Sequence, residues 1–322
     1  MVRAGAVGND FNIQVSPSPL LVTLTPGQTQ TATLTVRNFS NHSESLVPSL
    51  SGVRTNGDGN NVSLTDVVPA DMRSWVQFTP AAMTIGAGQS AELTIAYHTP
   101  QNVGFSYSVA ISLTSTRAAA QTSTGTAIKP QIVVFCLINI NRSDAKSELS
   151  IEGITSGKAR YAFLPADFSV RIHNGGNIIS QPSGTIFIQR AFGDTKPIAT
   201  IPVNKGGGYV LPGTSRNFGA TWTSGFPVYA TDANGKRHLS WDWRHIGELR
   251  LGRYVAKAVL VYDNGHQDVP IVLSTTFWVV PWWLIFLVIF LVIALVMGVI
   301  TWGRLIFAGT KKVRSYAAHH KK

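Results

Sequence analysis

Asp242 stands between His238 and His245 in the run HLSWDWRH, and a carboxylate beside an imidazole is the smallest pairing that can move protons. Catalysis would need a nucleophile or a metal next to that pair. The remaining histidines (His42, His98, His173, His266, His319 and His320) make no H-E-x-x-H and no Cys/His metal spacing. No G-x-S-x-G surrounds a serine. The run NKGGGYVLPG (204–213) lacks the Lys-Ser/Thr of a phosphate loop and reads as a mobile turn. The single cysteine, Cys136, sits in the apolar run IVVFCLINI and reads as a buried small hydrophobe. These residues point to no enzyme, no metal and no cofactor. The Asp242 pairing reads as structural.

Binding chemistry is better represented. Trp241 and Trp243 alternate, so in an extended strand both rings face one side and offer an aromatic platform; Trp222 is a further exposed aromatic on this reading. The stretch GVRTNGDGNNVSLTDVVPADMRS (52–74) is the longest connection in its half of the chain. It carries Asn56, Asp58, Asn60, Asn61, Asp66, Asp71 and Arg73 as candidate partner-facing residues. Its distance along the chain from the C-terminus suggests a distal position. With the neighbouring YHTPQNVGF (97–105) it is the expected recognition surface. Four Asn-x-Ser sequons, at Asn38, Asn41, Asn61 and Asn141, matter only if a host glycosylates them.

What must position these residues is a set of strands. FNIQV, TATLTVRNF, WVQFTP, AELTIAYHTP, SYSVAISLTST and PQIVVFCLINI are short, β-branched and alternating, and each is bounded by Pro, Gly, Asn or Asp. The turn TLTPGQTQTATLTV (23–36) is echoed by TIGAGQSAELTI (84–95). After the polar stretch NINRSDAKSE the same grammar resumes in FSVRIHNGGN, GTIFIQRAF, RNFGATW, GRYVAKAVLVYDNG and VPIVLSTTFWVV. No segment before Pro281 shows a capped 3.6-residue apolar period. The expected fold is all-β: an N-terminal extension (1–14), one Ig-like β-sandwich at 15–142 and a second at 147–279. With one cysteine, neither sandwich has an intrachain disulfide, so each stands on packing alone.

The chain ends differently. Between Asp268 and Arg304 there is no charged side chain, and Trp282 to Gly303 is almost entirely Leu, Ile, Val, Phe and Trp. At about 1.5 Å per residue such a helix covers roughly 30 Å, the thickness of a bilayer's hydrocarbon core. The expectation is a transmembrane helix at 281–303, with Pro281 at its first turn and Trp282, Trp283 and Trp302 in the headgroup layers. Arg304, Lys311, Lys312 and Arg314 begin a basic tail (304–322) whose six cations supply more than half of the formal charge of +11. By the positive-inside rule that tail is cytoplasmic and everything before Pro281 is extracellular. The remaining excess is too dilute for a nucleic-acid surface. MVRAGAVGNDFNIQVSPSP has no apolar run of signal-peptide length, while VRAGAVG resembles the small-residue region around a cleavage site, which points to a trimmed export signal.

VTLTPGQTQTATLTVRNFSN, RTNGDG and FTPAAMTIGAGQSAELTIAYHTP together resemble the first extracellular domain of bacterial WxL-interacting proteins. LRLGRYVAKAVLVYDNG, followed by the apolar span and basic tail, is similar to the end of their second domain. The resemblance implies a membrane-anchored cell-envelope protein that binds peptidoglycan or a partner surface protein. Membrane-anchored Ig-like proteins of other bacteria share this layout. A carbohydrate-recognising surface module using exposed tryptophans is the alternative.

Overall fold

The computed structural model describes residues 11–55, 62–69, 72–117, 129–193, 196–265 and 267–319. The first half contains β1 (Ile13–Ser16), β2 (Leu20–Leu24), β3 (Thr29–Asn38), β4 (Glu44–Thr55), β5 (Val62–Thr65), the one-turn helix α1 (Met72–Trp75), β6 (Val76–Thr79), β7 (Met83–Ile85), β8 (Ser90–His98), β9 (Ser106–Ser115) and β10 (Gln131–Ile140). The second half contains β11 (Leu149–Ser156), β12 (Arg160–Tyr161), β13 (Ala166–Asn174), β14 (Ser183–Arg190), β15 (Ala199–Val203), β16 (Ser215–Trp222), β17 (Val228–Thr231), β18 (Arg237–Ser240), a 3₁₀ helix (Trp243–Glu248), β19 (Gly252–Asp263) and β20 (Asp268–Val279). Helix α2 (Trp282–His319) closes the chain.

Each half is a β-sandwich with its own buried cluster, one drawn from Ile13 to Ile140 and the other from Leu149 to Val279. In the first, β1-β3-β8-β6 faces β2-β10-β9-β4-β5, with β7 also paired to β4. In the second, β11-β13-β16 faces β12-β20-β19-β14-β15. Period-2 burial builds both cores: in β19, Tyr254, Ala256, Ala258, Leu260 and Tyr262 point inward and their neighbours outward. The fold is the all-β, Ig-like pair expected from the strand grammar.

The two sandwiches share one frame. In each, the first strand pairs within one sheet and the next crosses to run parallel to the last strand, β2 beside β10 and β12 beside β20. SPSP between β1 and β2 aids that crossing, since Pro17 and Pro19 donate nothing to a ladder. A buried asparagine then closes the third strand. Asn38 Nδ2 donates to the His42 and Ile85 carbonyls (2.8 and 3.0 Å), and its Oδ1 accepts from the Ser40 amide (2.8 Å). Asn174 does the same with Ile178, Val210 and Gly176 (2.8, 2.9 and 2.9 Å). The Asn38 sequon is therefore sealed inside the folded domain.

Several expectations shift in detail. β1 begins at Ile13, inside the stretch read as an N-terminal extension. β4 has no counterpart among the expected strands. α1 and the 3₁₀ helix add short helical turns before Pro281. The run at 204–213 is tied down rather than loose: Asn204 Nδ2 donates to the Pro182 and Gly208 carbonyls and its Oδ1 accepts from the Gly208 amide. The polar linker is bonded too, with Asn177 Oδ1 accepting from the Lys146 amide (2.6 Å) and its Nδ2 donating to the Asp144 carbonyl (2.9 Å). Across the junction, Asn139 Nδ2 donates to the Ile179 carbonyl and Oδ1 accepts from the Ile179 amide, both at 2.9 Å.

Among the described residues α2 is the one helix long and apolar enough to cross a membrane; Ile285–Trp302 has a mean hydropathy of 3.0. Its 38 residues extend about 57 Å at 1.5 Å each, so the helical backbone outruns a ~30 Å hydrocarbon core and continues into the basic segment.

Candidate functional site

The stretch at 52–74 is not one connection. Gly52–Thr55 is the end of β4, which pairs with β5 from Gly52↔Thr65 to Thr55↔Val62. Asn56, Asp58, Asn60, Asn61 and Asp71 lie outside the described residues. Asp66 and Arg73 do come together, but through the backbone, with Arg73 Nη2 donating to the Asp66 carbonyl at 2.8 Å. α1 then buries Met72 and Trp75, the latter edge-on to Tyr107.

The position of this stretch is a correction to the sequence reading. Gly52 pairs with Val109, and Ser106 pairs with Asn139, so Thr55 ends near the level of Ser106 and Asn139. Ser106 Oγ donates to the Asn177 carbonyl of the second sandwich (3.1 Å). The paired strand ends Thr55 and Val62 therefore lie toward the junction, not toward the far tip. The segment 97–105 shares that end, with Arg142 Nη1 donating to the Val103 carbonyl and its guanidinium stacked 4.4 Å from the Phe105 ring. Sequence distance misled because β-strands return the chain every ten residues or so.

Trp241 and Trp243 are brought together, though not by a strand. Trp241 follows β18 and Trp243 opens the 3₁₀ helix, whose first turn is capped by Asp242 accepting from the Arg244 amide. The rings stack at 5.9 Å and 28°, and Phe226 closes the cluster at 5.7 and 5.3 Å. They are 44% and 64% exposed. Trp222, expected beside them, is only 1% exposed and packs against Tyr254 and Phe277 in the core. It ends β16 facing inward, where its area is worth more than at the surface.

Beside the pair lies a cleft of about 440 Å³ lined by Ser224, Phe226, Ser240, Asp242, His245 and Glu248. Asp242 contacts His245 Nδ1 (3.3 Å) and accepts from Arg244 Nε and Nη2 (2.9 and 2.8 Å). Hydrogen bonds from the Arg244 side chain hold its carboxyl well below the usual carboxylate range. It is thus a charged, half-buried cap and ion-pair partner, a poor general base. Cys136 is buried, its Sγ 3.3 Å from the Tyr97 hydroxyl, and burial pushes the thiol up to about 11. Among the described residues no group of three metal-ligating side chains converges.

One arrangement escaped the sequence reading. Arg160 and Arg253 both pair with Trp278, on either side of it in the sheet, and all three side chains are exposed. Arg160 also lies over the Trp282 ring at 5.9 Å. Only strand register reveals this row.

These features define a pair of tandem Ig-like sandwiches ending in one apolar helix. No protein-family model matches the chain, and no curated protein matches it in sequence. Among solved structures it is similar to the class 5 fimbriae chaperone CfaA: 11% identity, TM-score 0.40, covering 82% of this chain and 99% of that one. It is also similar to the E. coli chaperone DraB (13%, TM-score 0.35, 83% and 95%) and to the Salmonella enterica SafA pilin in complex with the SafB chaperone (10%, TM-score 0.35, 82% and 97%). The fold assignment rests on the strand order itself.

Proposed function

We propose that this chain is a non-enzymatic, single-pass protein of the bacterial cell envelope, similar to WxL-interacting proteins, whose sandwiches bind wall polymer or a partner surface protein outside the membrane. The observation that carries this reading is the direct passage from β20, ending at Val279, to α2, beginning at Trp282. An apolar helix that neither sandwich buries needs another apolar phase, and the bilayer is the one that suits its length. On this reading the sandwiches occupy about 15–142 and 147–279, the span is 281–303, and residues 304–322 are cytoplasmic. The span is anchored by Trp282, Trp283 and Trp302, and the inner leaflet by Arg304, Lys311, Lys312 and Arg314. The partner-facing surface on this reading is the stretch 52–74 with residues 97–105; of these, Thr55 and residues 99–105 lie toward the second sandwich.

Two results test this. Protease added to intact cells should remove the sandwiches and leave the tail protected; digestion of the tail would reverse the orientation. Replacing 56–61 by a Gly-Ser linker should leave thermal stability nearly unchanged and weaken capture of cell wall or surface protein by the full chain in nanodiscs. Unaltered capture would move the recognition surface elsewhere.

The stacked Trp241–Trp243 pair beside a polar cleft favours a second reading, a sugar-stacking module. Glycan-dependent quenching of tryptophan emission, lost in Trp243→Ala, would support it.

A further inference from the structure

Among the described residues, the end of the second sandwich that leads into α2 gathers most of the exposed tryptophans. Gly252 pairs with Val279, two residues before Pro281, so Leu249 and Leu251 are placed beside the entry to the helix. Phe226 bridges to Leu249 and also packs on Trp241 and Trp243, which brings the stacked rings to the same end. Trp241, Trp243, Ile246, Leu249 and Leu251 are all at least 44% exposed, on a segment inserted between β16 and β19 that has no counterpart in the first sandwich. With Trp278, Trp282 and Trp283, five of the chain's eight tryptophans face solvent here. Of the others, Trp75 and Trp222 are buried and Trp302 lies near the far end of the span.

Cations accompany these apolar side chains. Arg160 and Arg253 flank Trp278, Lys158 is exposed just before Arg160, and Arg244 stands between the stacked indoles and Ile246. Two acids share the segment: Asp242 is paired with Arg244, and Glu248, between Ile246 and Leu249, is half-buried in the cleft beside Asp242. Exposed indoles among arginines, continuous with an apolar helix, match the chemistry of a bilayer headgroup layer, where amphipathic rings partition and basic groups meet anionic phosphates.

We propose that the insertion 223–251 is a foot that lies in the interfacial layer of the same membrane that α2 crosses, so that the second sandwich stands on the bilayer at two points. The occupant proposed for this patch is lipid, in place of the sugar of the second reading. The foot fixes the tilt of both sandwiches, since the Asn139–Ile179 contact couples the first to the second. This inference rests on the membrane-anchor reading, and the test separates the two.

The full chain is labelled with an environment-sensitive fluorophore at Ile246→Cys, at Trp243→Cys as a second foot site, at Val299→Cys within the span, and at Thr29→Cys on the first sandwich. Native Cys136 is buried and does not compete. In vesicles of phosphatidylcholine and phosphatidylglycerol with brominated acyl chains, the 246, 243 and 299 labels should shift to shorter wavelength and lose most of their emission. The label at 29 should do neither. A quenched 299 label with water-exposed 246 and 243 labels overturns the foot and leaves the anchor standing. An unquenched 299 label overturns the anchor and, with it, the foot. Loss of the near-ultraviolet circular dichroism of the native fold in one foot variant leaves the other to decide.

Discussion

Replacing Asn38 by alanine removes the amide that closes the first sandwich at its free end. Two of its hydrogen bonds are wholly buried, the donation to the Ile85 carbonyl and the acceptance from the Ser40 amide. A buried polar group left without its partner costs about 1–3 kcal/mol, so the substitution should cost about 2–5 kcal/mol. At roughly 3–5 °C per kcal/mol for a domain of this size, that corresponds to a drop of roughly 6–25 °C in melting temperature. Scanning calorimetry of the full chain in detergent reads it as a shift of the first sandwich's transition alone. Asn38→Asp sharpens the test. It keeps the shape and the acceptor but loses both N–H donors and sets a carboxylate against the His42, Ile85 and Gly86 carbonyl oxygens. That carboxyl is favoured neutral in the folded state, so its pKa is raised above the unfolded value near 4. The extra penalty is therefore absent below about pH 4 and grows as pH rises beyond it, and one donor returns when the group is protonated. An alanine variant within about 0.5 kcal/mol of the native chain, or an aspartate variant indifferent to pH, would refute the claim that Asn38 acts as a hydrogen-bond clasp.

Two further outcomes follow from close packing and burial. A Cβ at Gly176 would fall 2.2 Å from the Lys146 carbonyl oxygen, backbone that cannot swing aside, so Gly176→Ala should expose the linker. Faster trypsin cleavage at Arg142 or Lys146 checks this, and unchanged cleavage contradicts it. Cys136, with its thiol pushed up to about 11, should be under about 1% thiolate at pH 8 and resist iodoacetamide until the first sandwich unfolds. Stoichiometric labelling of the native chain would show that the strand opens.

Composition and periodicity made some of this molecule legible, and geometry withheld the rest. α2 announced itself because no charge interrupts 269–303. β3, β8 and β10 alternate cleanly. The echo of the two Gly-Gln turns is real geometry: Gly27 and Gly88 both sit at positive φ (73° and 72°), and each turn feeds one of two neighbouring antiparallel strands. β4 was hidden by Pro48, which cannot donate to a ladder and so argues against an interior strand, and by Glu44, a charge buried at its start. There Ser115 Oγ donates to Glu44 Oε2 at 2.9 Å and His42 meets the other oxygen. The Asn38 and Asn174 clasps were invisible because each reaches a carbonyl in a distant part of the chain, 47 and 36 residues away.

Where the two sandwiches depart from their common frame is the most informative comparison the chain offers. Eight strands of one correspond in order and pairing to eight of the other, down to the parallel crossing and the buried asparagine. Folding requires all of that, so none of it needs a partner. The first sandwich departs between β4 and β7, with β5, α1 and β6; the second departs between β16 and β19, with β17, β18 and the 3₁₀ helix. An insertion costs chain entropy that the frame does not need, and apolar side chains left exposed on it, Val67 in the first and Trp243 in the second, gain nothing from the core they bypass. The two insertions open at different levels, one at the waist between the sandwiches and one beside the helix. A partner at the waist and a lipid surface at the foot would then be served by separate parts of the chain, so that loss of either contact leaves the other intact.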